Sequence, residues 1–482
     1  MLLHTPLYLL FLASVVTVYW LLPGRRWPQA RRWLLLAASY LFYSVFDLRF
    51  ALLLLGLTAA AFLLGRAIPN SSRARLYVWL SIALNLIVLG IFKYNGFFLV
   101  NLGAALRALG VERLAPGLSL LLPVGISFYT FQAISYTVEI YKKKAQPAAG
   151  WIDFAIYMAF FPKLIAGPMV SPSRFIPRIN EATTAERLGP LLPALGLITM
   201  GLVKKVLIAD SLASLAQVAF RAAGLPPTDW PFPAPLYWQG FYLYAFQIYA
   251  DFSGYTDIAR GSAALLGFSL PENFQQPYLA STITEFWNRW HMTLTQWFRE
   301  YLFFPLSRNL IAFTTRRHMA TAQVMANLIT MTLIGLWHGS GWTYIAWGAW
   351  HGILLSVERL FNYKPAQRWQ KIAGGVMTFH LVGLGWVLFG SSSFAAAGRF
   401  LTGLLTLAQS NWVFHFMPPI LLTGGLLLGI DLIAGGTLTV PPRLQKWWGP
   451  VAISASWALI LSLLLLRAAH GGNALPFIYG QF

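Results

Sequence analysis

Apolar residues in this chain gather into runs near 7–22, 33–46, 50–64, 77–92, 117–138, 152–170, 190–219 and 234–250, divided by short polar gaps. The pattern resumes near 299–313, 321–337, 341–357, 373–390, 394–408, 416–435 and 450–467. A helix needs about 20 mostly apolar residues to cross a bilayer, and several runs fall short. Short runs are expected to be re-entrant or interfacial, which is tolerated where protein rather than lipid surrounds them. The pattern predicts an all-α, polytopic transmembrane bundle of roughly 11 crossings with a few half-helices. No repeat, heptad or low-complexity tract interrupts it, and no linker divides it, so residues 1–482 read as one integral membrane domain.

Composition strengthens that picture. Of the residues, 57% are hydrophobic, 16% aromatic and only 10% charged, against about 25% charged in soluble domains. The net charge is +20, which in a soluble protein would suggest nucleic acid. Here the basic residues cluster between apolar runs: Arg25, Arg26, Arg31 and Arg32; Arg66, Arg73 and Arg75; Lys142, Lys143 and Lys144. Loop-confined Lys and Arg face the cytoplasm and suit anionic lipid headgroups. No continuous basic groove of the kind a phosphate backbone needs is evident, so no nucleic-acid partner is expected. The first run lacks a basic leader and a small-residue cleavage site, and GRRWPQARR follows it. It reads as a retained span with its N-terminus outside. The chain has no cysteine, which excludes thiol nucleophiles, thiolate metal sites and disulfides.

One stretch breaks the apolar monotony. Residues 251–300 hold five of the fifteen acidic side chains: Asp251, Asp257, Glu272, Glu285 and Glu300. Thr282 with Glu285 makes a capping box, so a helix is predicted to start there. Glu285 and Arg289 would then pair at i,i+4. Trp287, His291 and Leu294 would share another face, and an aromatic amphipathic helix of this kind belongs in the membrane interface.

Ionisable groups in a membrane are costly and therefore functional candidates. His380 sits in an apolar run and reads as a hydrogen-bonded core histidine. His338 closes one apolar helix in LIGLWHGSGWTYIAWGAWHG, and His351 follows thirteen residues later. Each belongs to a WHG string whose glycine permits close backbone approach. Either each imidazole satisfies a backbone carbonyl in a packed bundle, or His338 acts as a general base on a hydroxyl. Zinc would want three or four ligands, and a thirteen-residue gap is not a helical ligand spacing, so no metal site is expected. Ser253 and Ser340 could serve a serine triad, but no G-x-S-x-G elbow is present.

Taken together, the strings FKYNGFF (92–98), LPVGISFYTFQAISYTVEIYK (122–142), FFPKLIAGPMV (160–170) and GLVKKVLIAD (201–210) resemble the membrane-bound O-acyltransferase family. DFSGYTDIARG (251–261), FWNRWHMTLTQWFREYLFFPL (286–306) and GLWHGSGWTYIAWGAWHG (335–352) extend the resemblance, in order, across about residues 90–390. It is most similar to the alginate O-acetyltransferase branch. Glu139 stands where relatives carry Asp, and GWVLFGSSS (385–393) lacks their Arg after its Phe.

The resemblance implies a ring of tilted helices, with re-entrant and interfacial pieces, around a central funnel where donor and acceptor meet from opposite faces. It implies His338 as the catalytic histidine and His291 as the histidine of the FWNRWH motif. His351, Trp337, Asn288 and Trp287 are supporting candidates. It further implies acetyl-CoA as acyl-donor substrate with no bound cofactor, and Lys142, Lys143 and Lys144 as attractors of its phosphates. The setting would be a bacterial cytoplasmic membrane, with an exopolysaccharide acceptor and a separate periplasmic acetyltransferase-like partner. Two other readings stay open: D-alanyl transfer towards teichoic acid from a carrier-protein thioester, and a non-catalytic transporter or flippase. The latter would show inverted repeats with paired broken helices, and none is visible.

Overall fold

The computed structural model describes residues 1–110, 120–189, 191–226, 234–312, 319–405 and 413–434, and every regular element in them is helical. The helix expected near 450–467 lies outside the described residues. Among those described, five helical runs are long and apolar enough to cross a membrane: Leu48–Ala67, Ala74–Ala108, Leu191–Gly224, Met319–His338 and Arg368–Gly390. Shorter apolar helices join them at Pro6–Leu21, Phe394–Leu405 and Ile420–Ile430. The protein is a multi-pass membrane protein.

The chain forms two compact units. The first holds residues 1–198 and 255–271. Its helices are α1 (Pro6–Leu21), α2 (Pro28–Ser44), α3 (Leu48–Ala67), α4 (Ala74–Leu89), α5 (Asn95–Ala108), α6 (Ile126–Tyr141), α7 (Trp151–Ala159) and α8 (Pro172–Thr184). A π-helical turn, Gly90–Tyr94, joins α4 to α5. Most of α9 (Leu191–Leu202) also belongs here.

Two apolar runs of this unit differ from expectation. In the run at 117–138 the helix begins only at Ile126, because Gly125 takes φ +79° against the backbone of Leu164 and Ile165. Any side chain there would be strained by the left-handed conformation and would strike a carbonyl. In the run at 152–170, α7 ends after nine residues, and Phe160–Val170 continue as buried, non-helical chain. Pro162 and Pro168 lack the N–H a helix needs, and Gly167 has low helix propensity, so the stretch favours breaks. Lys163 then satisfies the opened backbone: its ammonium donates to Tyr157 O (2.7 Å) and Gln132 Oε1 (2.8 Å), facing the rings of Tyr157 and Phe175.

The first basic cluster also needs correction. Arg31 and Arg32 lie in the first turn of α2 rather than in a loop, and both are buried. Arg31 donates to the carbonyls of Leu22 (2.9 Å) and Ala185 (2.6 Å), and Arg32 pairs with Asp153 at 2.9 Å. They pin α2 to its neighbours, while Arg25 and Arg26 remain exposed.

The second unit holds residues 199–254 and the described residues from 272 onward. It contains a π-helical segment Val203–Ala209, α10 (Asp210–Gly224), most of α11 (Ala234–Leu265), α12 (Ile283–Arg289), α13 (Met292–Phe298) and a second π segment, Arg299–Phe303. Then follow α14 (Phe304–Ala312), α15 (Met319–His338), α16 (Trp342–Phe361), α17 (Arg368–Gly390), α18 (Phe394–Leu405) and α19 (Val413–Ala434). Ala219, Tyr237, Phe241, Val387 and Phe400 pack one core among α10, α11, α17 and α18. In the first π segment Lys205 bridges two buried carboxylates, Asp251 at 2.6 Å and Asp210 at 2.9 Å. Three dehydrated charges are tolerable only when paired this closely.

Candidate functional site

The helical hairpin of α15 and α16 turns through Gly339, Ser340 and Gly341. Its two arms meet backbone to backbone. A Cβ on Gly335 would lie 2.2 Å from Tyr344 O, and one on Gly348 would lie 2.2 Å from Met331 O. The WHG glycines are tight as well: Gly339 sits against the Tyr344 ring and Gly352 against Leu328 Cα. This closeness carries His338, at the end of α15, and His351, in the middle of α16, to the same indole. The His338 ring stands perpendicular to Trp347 at 5.0 Å, and the His351 ring is 5.1 Å from it. Trp337 at 4.8 Å and Phe389 at 5.6 Å also flank His338.

His351 is fully buried between Phe286, stacked at 6.2 Å, and Trp287, edge-on at 5.1 Å. Among the described residues neither ring nitrogen has a hydrogen-bond partner. The indole N–H groups of Trp287, Trp347 and Trp386 are buried and equally without one. Buried polar atoms are nearly always bonded, so four such side chains in one aromatic cluster call for an explanation. A backbone carbonyl held by His351 is therefore not what this ring is for. His380, by contrast, is the hydrogen-bonded histidine expected: it contacts Val376 O at 2.8 Å and Tyr242 Oη at 3.0 Å.

The helix expected to run from Thr282 through Trp297 is broken. Thr282 does cap α12, accepting from Glu285 N at 3.1 Å, and Arg289 pairs with Glu285 at 2.6 Å. The carboxylate of Glu285 returns to Ser281 N rather than to the cap residue, so the box is incomplete. A second cap comes from α16, where Glu358 accepts from Ile283 N at 2.6 Å and Thr284 N at 3.2 Å. α12 ends at Arg289, and His291 takes φ +42° before α13 begins. The shared face of Trp287, His291 and Leu294 therefore does not exist. Trp287 and Trp290 are buried against other rings, Trp287 on His351 and Trp290 on Trp386 at 5.0 Å, instead of facing lipid.

Asn273 explains the break. Its Oδ1 accepts from Thr293 N (3.2 Å) and Thr293 Oγ1 (2.9 Å), and its backbone carbonyl accepts from Met292 N (2.9 Å). His291 Nδ1 lies 3.0 Å from the same Oδ1. An oxygen already accepting from a backbone amide can only accept, so Nδ1 carries the proton and Nε2 keeps its lone pair. Phe252 packs edge-on to this imidazole at 4.6 Å, and burial lowers its pKa, which favours the neutral form.

The remaining candidates separate. Trp337 and Trp287 join the aromatic cluster. Asn288 is exposed, and its Oδ1 accepts from Arg299 at 2.6 Å. Lys142, Lys143 and Lys144 are exposed at the end of α6 in the first unit. Asn273, Trp347 and Trp386 are neighbours of the histidines that sequence reasoning missed. Asn273 lies 18 residues before its histidine in a segment with no periodicity, and only the PENF string marks it.

Beside this cluster, within the second unit, lies a chamber of about 810 Å³, with Trp287 in its wall together with Thr330, Arg299, Arg359 and Lys364. A small buried histidine pair, donors without partners and an adjoining polar chamber could hold an acyl carbonyl and take a proton from a hydroxyl.

Comparison with known proteins agrees with that chemistry. Residues 148–372 match the membrane-bound O-acyltransferase family. Over 402 residues the chain is 37% identical to a protein of Azotobacter vinelandii named "Probable alginate O-acetylase AlgI", covering 82% of this chain and 76% of the relative. A protein of the same name from Pseudomonas aeruginosa is 38% identical over 81% of this chain and 72% of its own length. A peptidoglycan O-acetyltransferase of Helicobacter pylori is 35% identical over 78% and 73%. With its histidine hairpin, seven ordered motifs and these relatives, the chain belongs to the membrane-bound O-acyltransferase family and is an O-acyltransferase.

Proposed function

We propose that this protein moves an acetyl group from acetyl-CoA, a cytoplasmic thioester, across a bacterial cytoplasmic membrane for O-acetylation of an exported polysaccharide. The names borne by the relatives support a polysaccharide acceptor, and the positive-inside pattern supports a cytoplasmic donor face. D-alanyl transfer is less well supported: a teichoic acid D-alanyltransferase of Bacillus subtilis is 30% identical over only 56% of this chain.

The observation that carries the reading is the pair of imidazoles, His338 and His351, against one indole in a buried aromatic cluster. His338 serves as general base. Its neutral imidazole takes the proton of the acceptor hydroxyl as the oxygen attacks the thioester carbonyl. The carbon–sulfur bond then breaks, and the thiolate recovers the proton from the imidazolium. Placement of the reactants contributes up to about 7–11 kcal/mol and the base about 10²–10⁴-fold. His291, with its tautomer fixed by Asn273, orients donor or acceptor through Nε2. The unbonded indole N–H groups are available donors for the charge that develops on the carbonyl oxygen.

The acceptor hydroxyl is assigned to a serine on a separate exported transferase, which then acetylates the polymer. A polymer needs an extended polar cleft to present its sugar hydroxyls, whereas the histidines here are enclosed by rings. The test is reconstitution with purified protein and acetyl-CoA. The donor should be hydrolysed slowly and the polymer barely acetylated until the partner is added. Efficient polymer acetylation by this chain alone would remove the hand-over, and no turnover with or without the partner would remove acyl transfer.

A further inference from the structure

The exposed side of α17 carries a groove that acyl transfer does not use. It measures about 490 Å³ and follows one face of the helix along Arg368, Lys371, Ile372, Val376 and Phe379, spaced three and four apart. Tyr278 and Leu279, from the short turn Pro277–Leu279, form the other wall. The floor is a notch at Gly375, where an added Cβ would meet only Ala280 O, at 3.8 Å. Gly374 beside it is the tight one, since its Cβ would lie 2.5 Å from Ser281 O. Gly374 therefore seats α17 on the chain at Ser281, and Gly375 leaves the groove open.

This groove is charged at one end only. α17 is a 23-residue span, long enough to cross the hydrocarbon core of a bilayer, so its first turn lies at the membrane surface. Trp369 marks that level: it is exposed, and its indole donates to Gln367. Arg368 and Lys371 share the turn and are exposed, and among the described residues no ion pair includes either. No residue lining the groove is acidic. Residues 359–372 carry Arg359, Lys364, Arg368 and Lys371 and no acid, which puts this end on the cytoplasmic side. Deeper down, Ile372 and Val376 present exposed apolar surface. The polar atoms there are already bonded: His380 contacts Val376 O and Tyr242 Oη, and Tyr278 Oη donates to Ala245 O at 2.7 Å.

Two cations at the membrane surface above an apolar channel match a phospholipid, headgroup up and chain down. A zwitterionic headgroup would press its own ammonium against Arg368 and Lys371, whereas an anionic one complements them. We propose that this groove binds one anionic phospholipid of the cytoplasmic leaflet. Arg368 and Lys371 hold its phosphate, and one acyl chain lies over Gly375 along Ile372, Val376 and Phe379.

The test titrates the full chain, delipidated in neutral detergent, with phosphatidylglycerol and with phosphatidylcholine of the same chains, and counts bound lipid by native mass spectrometry. One phosphatidylglycerol should bind at least about tenfold more tightly than phosphatidylcholine, as two cations beside a net negative headgroup give. R368Q/K371Q should bind the two lipids alike. K143Q/K144Q, which removes two exposed cations at the end of α6, should keep the wild-type preference. Gly375→Leu should fill the notch and weaken both lipids several-fold without lowering the melting temperature. Glycerol phosphate, the headgroup without chains, should displace phosphatidylglycerol poorly.

An unchanged preference in R368Q/K371Q overturns the proposal. An equal loss in K143Q/K144Q does so too, because the preference would then belong to the field of the whole protein. Efficient displacement by glycerol phosphate would make this a free-phosphate site and contradict the lipid assignment. If R368Q/K371Q or Gly375→Leu instead shifts the chain between monomer and dimer with lipid binding unaltered, the groove receives a second copy of the chain and the proposal fails.

Discussion

His291 and His351 are both fully buried imidazoles in the same compact unit, yet they are held in opposite ways. Asn273 fixes one nitrogen of His291, and the same oxygen collects two further bonds from Thr293. Among the described residues His351 has no bond at either nitrogen and is located by ring contacts, with Phe286, Trp287 and Trp347 around it. A hydrogen-bonded shell sets a tautomer and an angle. An aromatic shell sets a position but leaves the polar atoms free for whatever enters. The first arrangement suits a residue that must point a lone pair in one direction. The second suits a wall of the transfer site that is completed by substrate.

This contrast is sharpest in what each shell tolerates. Asn273→Ala should lower acyl transfer by about ten- to a hundredfold, the usual effect of removing a partner that orients a functional histidine. Asn273→Asp, which keeps the acceptor, should recover much of it. The loss should fall on turnover, with donor affinity retained and melting temperature shifted only a little. If Asn273→Ala and Asn273→Asp are equally impaired, the tautomer argument is wrong.

His351→Phe keeps the ring volume and should have a milder effect, within about tenfold, because no bond within the protein is lost and the packing is preserved. Gly385→Ala is the complementary probe, since its Cβ would lie 2.9 Å from His351 Nε2. It should impair activity more than His351→Phe by displacing the ring. A Gly385→Ala enzyme with full activity would show that the ring's position is unimportant.

The smallest effect concerns the cap beneath Trp287. Burial raises the pKa of the Glu285 carboxyl, but bonds from Ser281 and the charge of Arg289 outweigh it, and the net shift is downward. A depressed carboxylate contributes stability above its ordinary pKa, and that contribution disappears as pH falls through the folded value. Glu285→Gln should therefore lower the melting temperature slightly at neutral pH and narrow the gap to wild type in acid. The pair is partly exposed, so the shift should be small and should shrink with added salt. A gap that widens in acid contradicts this assignment.

The sequence revealed the parts of this architecture that depend on local chemistry. Apolar runs located most of the spans, Thr282 the start of α12, the Glu285–Arg289 spacing their ion pair, and the glycines of the two WHG strings a close backbone approach. What it hid depends on contacts distant along the chain. The left-handed His291 is imposed by Asn273, and nothing between Trp287 and Leu294 betrays it. Phe160–Val170 reads as apolar and hence helical, whereas its prolines and the Lys163–Gln132 bond keep it open. Arg31 and Arg32 resemble loop cations because the carbonyls that receive Arg31 and the Asp153 that pairs with Arg32 lie on other segments. The chamber was invisible for the same reason, since its cations come from a π segment, the end of α16 and the loop that follows.

The central claim is that His338 removes the acceptor proton while His291 and His351 hold the reactants around it. Its most direct test is single-turnover acyl transfer from acetyl-CoA by His338→Ala, beside His291→Ala and His351→Ala, with coenzyme A affinity and melting temperature followed in parallel. The account predicts that His338→Ala loses at least about a hundredfold in the transfer step, as removal of a general base does. Folding and donor binding should stay close to wild type, with His291→Ala severe and His351→Ala milder. A His338→Ala protein that keeps most of its transfer rate, or that loses it only by unfolding, would contradict the claim.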